Sequence, residues 1–103
     1  MIQEIDICDY VKNRCKNEIL VDLREKFMFD FGTIPGAVNI PLDDIRQLYH
    51  LPKDKKIYVF CQAGEVSREI AELLSDGGYE AFHLSGGYRK YLNEQIKHLS
   101  EEI

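Results

Sequence analysis

Short apolar runs take turns with stretches of helical spacing along most of this chain, and that alternation limits the folds open to it more than any other feature. Ile19-Leu20-Val21, Ala37-Val38-Asn39-Ile40, Ile57 to Phe60 and Ala81-Phe82-His83-Leu84 are strand-sized. Between them the period changes. Ile5, Cys8, Val11 and Cys15 predict a short helix over roughly residues 6–15, with Asp6 as N-cap and both cysteines on one core-filling face. Leu42, Ile45 and Leu48 predict a second helix. Ile70, Ala71, Leu73 and Leu74 predict a third, opening near Ser67 and stopped by Gly77-Gly78. Tyr88, Tyr91, Leu92 and Ile96 predict the last, with Ser85 as its N-cap. Strands joined through helices run parallel, because parallel neighbours need a crossover. The expected class is therefore a small α/β sandwich with a mainly parallel sheet, in which ligands sit at the carboxyl ends of the strands. Two strand ends carry polar chemistry: Asp22 to Arg24, and Cys61.

Composition narrows the function. At 103 residues the chain is expected to be one domain, spanning 1–103. Its apolar runs are too short to cross a membrane. The start, Met1 to Asp6, is acidic and amphipathic, without the basic and apolar regions of a secretory signal, which predicts a cytoplasmic location. A net charge of −5 and the absence of a long basic block argue against nucleic-acid binding. Cys8, Cys15 and Cys61 are an odd number with no CxxC pair, so reduced thiols are expected and a structural metal is not.

Cys61 stands between an apolar strand and a loop that runs straight into a helix. If the loop curls, the backbone N–H groups of Gln62, Ala63, Gly64, Glu65, Val66 and Ser67 turn toward the sulfur, joined by unpaired donors of the helix's first turn. Gly64 supplies the positive φ of a tight cradle, and Arg68 adds charge at the rim. A helix N-terminus and cationic neighbours lower a cysteine pKa from ~8.5 to between ~3.5 and ~7.5, so such a sulfur becomes a nucleophile without a histidine base. The bland alternative, a buried strand-end cysteine before an ordinary turn, fits the spacing equally well. His50 and His83 are expected to be surface or half-buried side chains. Asp22 is expected to fix its strand-end loop and Arg24 to pair with a carboxylate.

The segments VDLRE (21–25), GTIPGAVNIPLDDI (32–45) and IYVFCQAGEVSREIAELLSDGGYEAFHLSGGYRKY (57–91) resemble the single-domain rhodanese family, in order and over nearly all of the chain. The resemblance implies a three-layer sandwich with a small, mainly parallel five-stranded sheet flanked by helices. It also implies a six-residue loop, Cys61 to Val66, that begins with a sulfur-carrying cysteine. The implied activity is sulfur transfer: Cys61 takes sulfane sulfur from a donor, holds it as a persulfide and yields it to cyanide or a thiol acceptor, with no cofactor. The implied partners are a small-molecule or protein sulfur donor and a thiol acceptor, with room for a protein partner in a sulfur relay.

Two departures qualify the match. Thr33 stands where the family often has His, a position expected to be structural. Gln62 and Glu65 replace basic residues that resemble the thiosulfate-binding set, which predicts poor use of that dianion. Two other functions compete. The fold resembles that of cell-cycle phosphatases and arsenate reductases, whose loop is one residue longer and ends in an oxyanion-gripping Arg; here Arg68 follows Cys61 by seven. A rhodanese-like binding or redox-sensing module with little turnover is the second alternative.

Overall fold

The computed structural model describes residues 2–101. Five strands, β1 (Gln3–Asp6), β2 (Glu18–Asp22), β3 (Val38–Asn39), β4 (Lys56–Phe60) and β5 (Ala81–Ser85), form one parallel sheet in the order β1-β5-β4-β2-β3. The crossovers carry α1 (Ile7–Lys12), α2 (Lys26–Phe31), a 3-10 segment (Leu42–His50) and α3 (Glu65–Asp76), and α4 (Gly87–Glu101) follows β5. Strand β4 lies at the centre. Its Ile57 and Val59 face one layer while Tyr58 and Phe60 face the other, so the run is apolar on both sides, as a doubly covered parallel strand requires.

Two apolar layers flank the sheet. On one face, α3 and the 3-10 segment bring Leu48, Ile70 and Leu74 against Val21, Ile57, Val59 and Ala81. On the other, α1 and α4 bring Ile7, Tyr10, Tyr88 and Tyr91 against Leu20, Tyr58, Phe60 and Leu84. Each fully buried Leu, Ile or Phe contributes about 1.5–3 kcal/mol relative to exposure, so the chain spends its apolar residues on these two layers. No helix among the described residues is long and apolar enough to cross a membrane.

Several sequence expectations need correction. Gln3 to Asp6 form an edge strand beside β5, with Glu4 opposite His83 and Ile5 opposite Leu84. The run holds one apolar residue, Ile5, which the helical spacing had claimed; its acidic residues suit an edge that must not recruit another strand. The first helix is shorter than predicted. Asp6 does cap it, accepting from the N–H groups of Cys8 and Asp9, but it ends at Lys12. Cys8 is therefore half-buried beside the α1–α4 layer, whereas Cys15 lies beyond the helix and is exposed. Lys26 to Phe31 form a helix that buries no residue fully, although four of its six residues are apolar, and it is not among the helices expected from the sequence. Leu42 to His50 wind as 3-10 turns kinked at Asp44. Ser85 ends β5, its hydroxyl donating to the Ile5 carbonyl.

Candidate active site

Central strands β2 and β4 end side by side, and the chain beyond each builds one wall of a cleft. The Leu23 N–H donates to the Phe60 carbonyl at 2.9 Å, carrying the ladder past both strands. From β2 the chain delivers Asp22 and Arg24. Asp22 is fully buried, and its carboxylate accepts from the Arg24 amide at 2.9 Å, from Arg24 Nε at 3.0 Å and Nη2 at 2.8 Å, and from the Thr33 hydroxyl at 2.8 Å. Arg24 also donates to the Gly32 carbonyl at 2.6 Å and stacks over the Tyr88 ring at 4.0 Å. This charge is consumed by structure: it joins β2, the turn at Gly32 and α4.

From β4 the chain delivers Cys61. Its Sγ accepts from the N–H of Gly64 at 3.1 Å and of Ser67 at 3.4 Å, and lies 3.5 Å from the Ser67 hydroxyl. Of the amides from Gln62 to Ser67, these two make hydrogen bonds to the sulfur. The helix begins at Glu65, two residues before the predicted start, with Gly64 as its N-cap at φ 103°, a left-handed conformation costly for any residue with a Cβ. Ser67 therefore belongs to the first turn, where its N–H has no intrahelical partner and is available to the sulfur.

The first two peptides of the loop are held through their carbonyls by a different helix. The first-turn amides of Tyr88 and Arg89 in α4 donate to the carbonyls of Cys61 at 2.9 Å and Gln62 at 3.0 Å. Contact is close enough that a Cβ at Gly87 would lie 2.5 Å from the Gln62 oxygen.

The remaining predicted residues divide. Cys61, Gln62, Ala63, Glu65, Val66 and Arg24 line a cleft of about 540 Å³, whereas Arg68 is exposed on α3 and lies outside it. The cleft is apolar and acidic: Leu23, Met28, Leu42 and Val66 alternate with Glu25, Asp43 and Glu65, and its one cation, Arg24, is already paired. Among the described residues no three His, Cys, Asp or Glu side chains stand close enough to hold a metal.

His83 was missed. The expectation of a surface or half-buried ring is wrong: His83 is buried, and its Nδ1 lies 2.8 Å from the Ser67 hydroxyl that faces Cys61. Burial pushes the imidazole below its ordinary value; Glu4 opposes that and Arg68 adds to it. The signal was present in the period of two. Ala81 and His83 point to the same side of β5, the side that α3 covers.

With this geometry in view, comparison with known proteins gives a consistent answer. The family model for the rhodanese-like domain matches residues 8–94. The adenylyltransferase and sulfurtransferase UBA4 of Meyerozyma guilliermondii is 34% identical over 89% of this chain and 24% of its own length. The tRNA uridine(34) hydroxylase of Acinetobacter baylyi is 37% identical over 74% of this chain and 27% of its own. The chain thus spans about a quarter of these two relatives. A rhodanese-related protein from Thermoplasma volcanium superposes with a TM-score of 0.82 at 32% identity, covering 89% of this chain and 92% of the other. In fold and in the order of its motifs, this chain belongs to the rhodanese-like domain family.

Proposed function

We propose that the protein is a sulfurtransferase that carries sulfane sulfur as a persulfide on Cys61 and passes it to cyanide or a thiol acceptor. One observation carries the reading: Sγ sits at the floor of the cleft with two backbone N–H donors behind it, at 3.1 and 3.4 Å. Relatives named as sulfurtransferases support it. The Cys61 thiolate attacks the outer sulfur of a persulfide donor, R–S–SH. A new S–S bond forms, the old one breaks, and the donor leaves as its thiolate with the bonding pair. Cyanide then attacks the outer sulfur of the Cys61 persulfide and departs as thiocyanate, returning the Cys61 thiolate and a proton. The Gly64 and Ser67 amides hold negative charge on Sγ before attack and after release, already oriented for it.

The cleft selects among donors. Glu25, Asp43 and Glu65 face any incoming anion, and a like charge at roughly 4 Å costs about 1 kcal/mol even in a water-like dielectric. Persulfides of low molecular weight, polysulfide or a protein persulfide are therefore better donors than thiosulfate.

Intact-protein mass spectrometry after brief treatment with glutathione persulfide or thiosulfate tests this, with the adduct mapped by digestion. One added sulfur at Cys61, removed by cyanide or a dithiol and larger in yield from glutathione persulfide, is the expected result. No adduct from either donor on a Cys61 that still alkylates refutes the carrier and points to a binding or redox-sensing module.

A further inference from the structure

Sulfur transfer as drawn above leaves the buried imidazole of His83 unused. His83 Nδ1 lies 2.8 Å from Ser67 Oγ, and Ser67 Oγ lies 3.5 Å from Cys61 Sγ. On the far side of the ring, Nε2 lies 3.3 Å from Glu4 Oε1, the residue opposite His83 in the β1–β5 register. Glu4, His83, Ser67 and Cys61 thus form one continuous line from β1 through β5 and α3 to the loop. A buried neutral imidazole with a carboxylate at Nε2 carries its proton there, which leaves Nδ1 as an acceptor. The Ser67 hydroxyl then donates to Nδ1 and turns a lone pair toward the thiol.

We propose that His83 is a positioning residue that takes the proton of Cys61 through the Ser67 hydroxyl, with Glu4 as its counter-charge. The inference rests on the reading of Cys61 as the sulfur nucleophile. The S–H bond of Cys61 breaks, its proton passes to Ser67 Oγ, and the original hydroxyl proton of Ser67 passes to His83 Nδ1. The bonding pair stays on Sγ, and no oxidant or reductant takes part. The thiolate then faces three donors: the amides of Gly64 and Ser67 and the Ser67 hydroxyl, now turned toward it. The imidazolium lies between that hydroxyl and the Glu4 carboxylate.

The other groups around the ring set the balance. From α3, Arg68 disfavours the imidazolium; from β4, the paired residue is the apolar Val59; the loop contributes the Gly64 backbone. Glu4 is therefore the acidic group that opposes burial and Arg68 without cancelling them, and it does so from a half-exposed position.

The test is the pH profile of Cys61 alkylation by iodoacetamide in a Cys8→Ser/Cys15→Ser background, which needs no sulfur donor and so stands apart from any failure of transfer. His83→Asn keeps a polar partner for Ser67 but cannot take a proton. Its profile is expected to shift upward by about one pH unit, giving ~tenfold slower alkylation at neutral pH and convergence with the parent at the alkaline end. Glu4→Gln, at the sheet edge, is expected to shift the profile in the same direction by less. Should His83→Asn fail to fold, the His83 ring is followed by NMR titration in the unsubstituted protein before and after alkylation of Cys61. Blocking the thiol removes the anion that favours the imidazolium, so the His83 midpoint is expected to fall. Superimposable alkylation profiles, or a ring titration indifferent to alkylation, would overturn the relay and leave His83 as packing.

Discussion

Replacing Asp22 with Asn retains the shape of the side chain and removes its charge. The fully buried carboxylate of Asp22 has four donors from two residues: the Arg24 amide, Nε and Nη2, and the Thr33 hydroxyl. In the variant an amide NH₂ would face the Arg24 amide and Nε if it took the place of Oδ1, or Arg24 Nη2 and the Thr33 hydroxyl if it took the place of Oδ2, and the guanidinium would be buried without an anion. Breaking a buried pair by removing one partner costs about 3–5 kcal/mol, because the remaining charge is uncompensated. The total stability of a domain this size is about 5–15 kcal/mol, so the loss is a large fraction of it. At about 4–8 °C per kcal/mol, the melting temperature is expected to fall by at least ~12 °C, and the urea midpoint with it. A double-mutant cycle isolates the pair: Asp22→Leu with Arg24→Met is expected to lose less than the sum of the single changes, since it removes both charges together. An Asp22→Asn protein that melts within ~2 °C of the parent would refute the reasoning. Arg24 would then be hydrated, and the Asp22–Arg24 pair would not be what ties β2 to Gly32.

Cys61→Ser is expected to abolish sulfur transfer, while Cys8→Ser and Cys15→Ser, which lie outside the cleft, leave the rate unchanged; steady-state thiocyanate formation reads all three. Glu65→Lys replaces a cleft carboxylate with a cation, so thiosulfate KM is expected to fall severalfold; an unchanged KM would remove charge as the reason for donor choice. Gly87→Ala places a methyl 2.5 Å from the Gln62 oxygen at a φ of 67°, so loss of at least ~1 kcal/mol is expected, with transfer reduced well beyond the change in folded fraction. Burial works against ionisation of Asp6, but Lys90 and the amides of Asp9 and Cys8 outweigh it and hold the carboxyl below 3.8. Its stabilising contribution is therefore present above the unfolded value and lost as pH falls through the lower folded one. The urea midpoints of the parent and Asp6→Asn should accordingly differ at neutral pH and converge in acid.

How much was legible in the residues depended on whether a structural role left a local mark. Strand β4, the loop after it and α3 were visible because an apolar run, a cysteine, a glycine and a helical spacing follow one another without a break. The start of α3 was off by two residues, since Gly64 caps through its backbone conformation rather than with a side chain. Strand β1 left almost no mark, for an edge strand with one half-buried apolar residue, Ile5, is specified by its neighbour, β5. The same holds for His83: the ring acquires a role only when Ser67 of α3 and Glu4 of β1 are brought to its two nitrogens, and sequence separation hides both contacts. Asp22 and Arg24 sit two residues apart, so their pairing was within reach of sequence reasoning.

The grip of α4 on the loop has a further meaning. A peptide plane has two polar edges, and fixing one direction fixes the other. By taking the carbonyls of Cys61 and Gln62, the first turn of α4 fixes the two planes that carry the amides of Gln62 and Ala63, and so sets the path of the chain into Gly64, whose amide is the first to reach the sulfur. The course of the loop from Cys61 to Gly64 thus rests on residues that follow β5, more than twenty positions after Cys61. A peptide of β4, loop and α3 alone would contain both amide donors to the sulfur but would lack the two hydrogen bonds that hold the first peptides of the loop. Changes at the start of α4 can therefore shift the first two peptides of the loop while leaving the cleft's own side chains untouched.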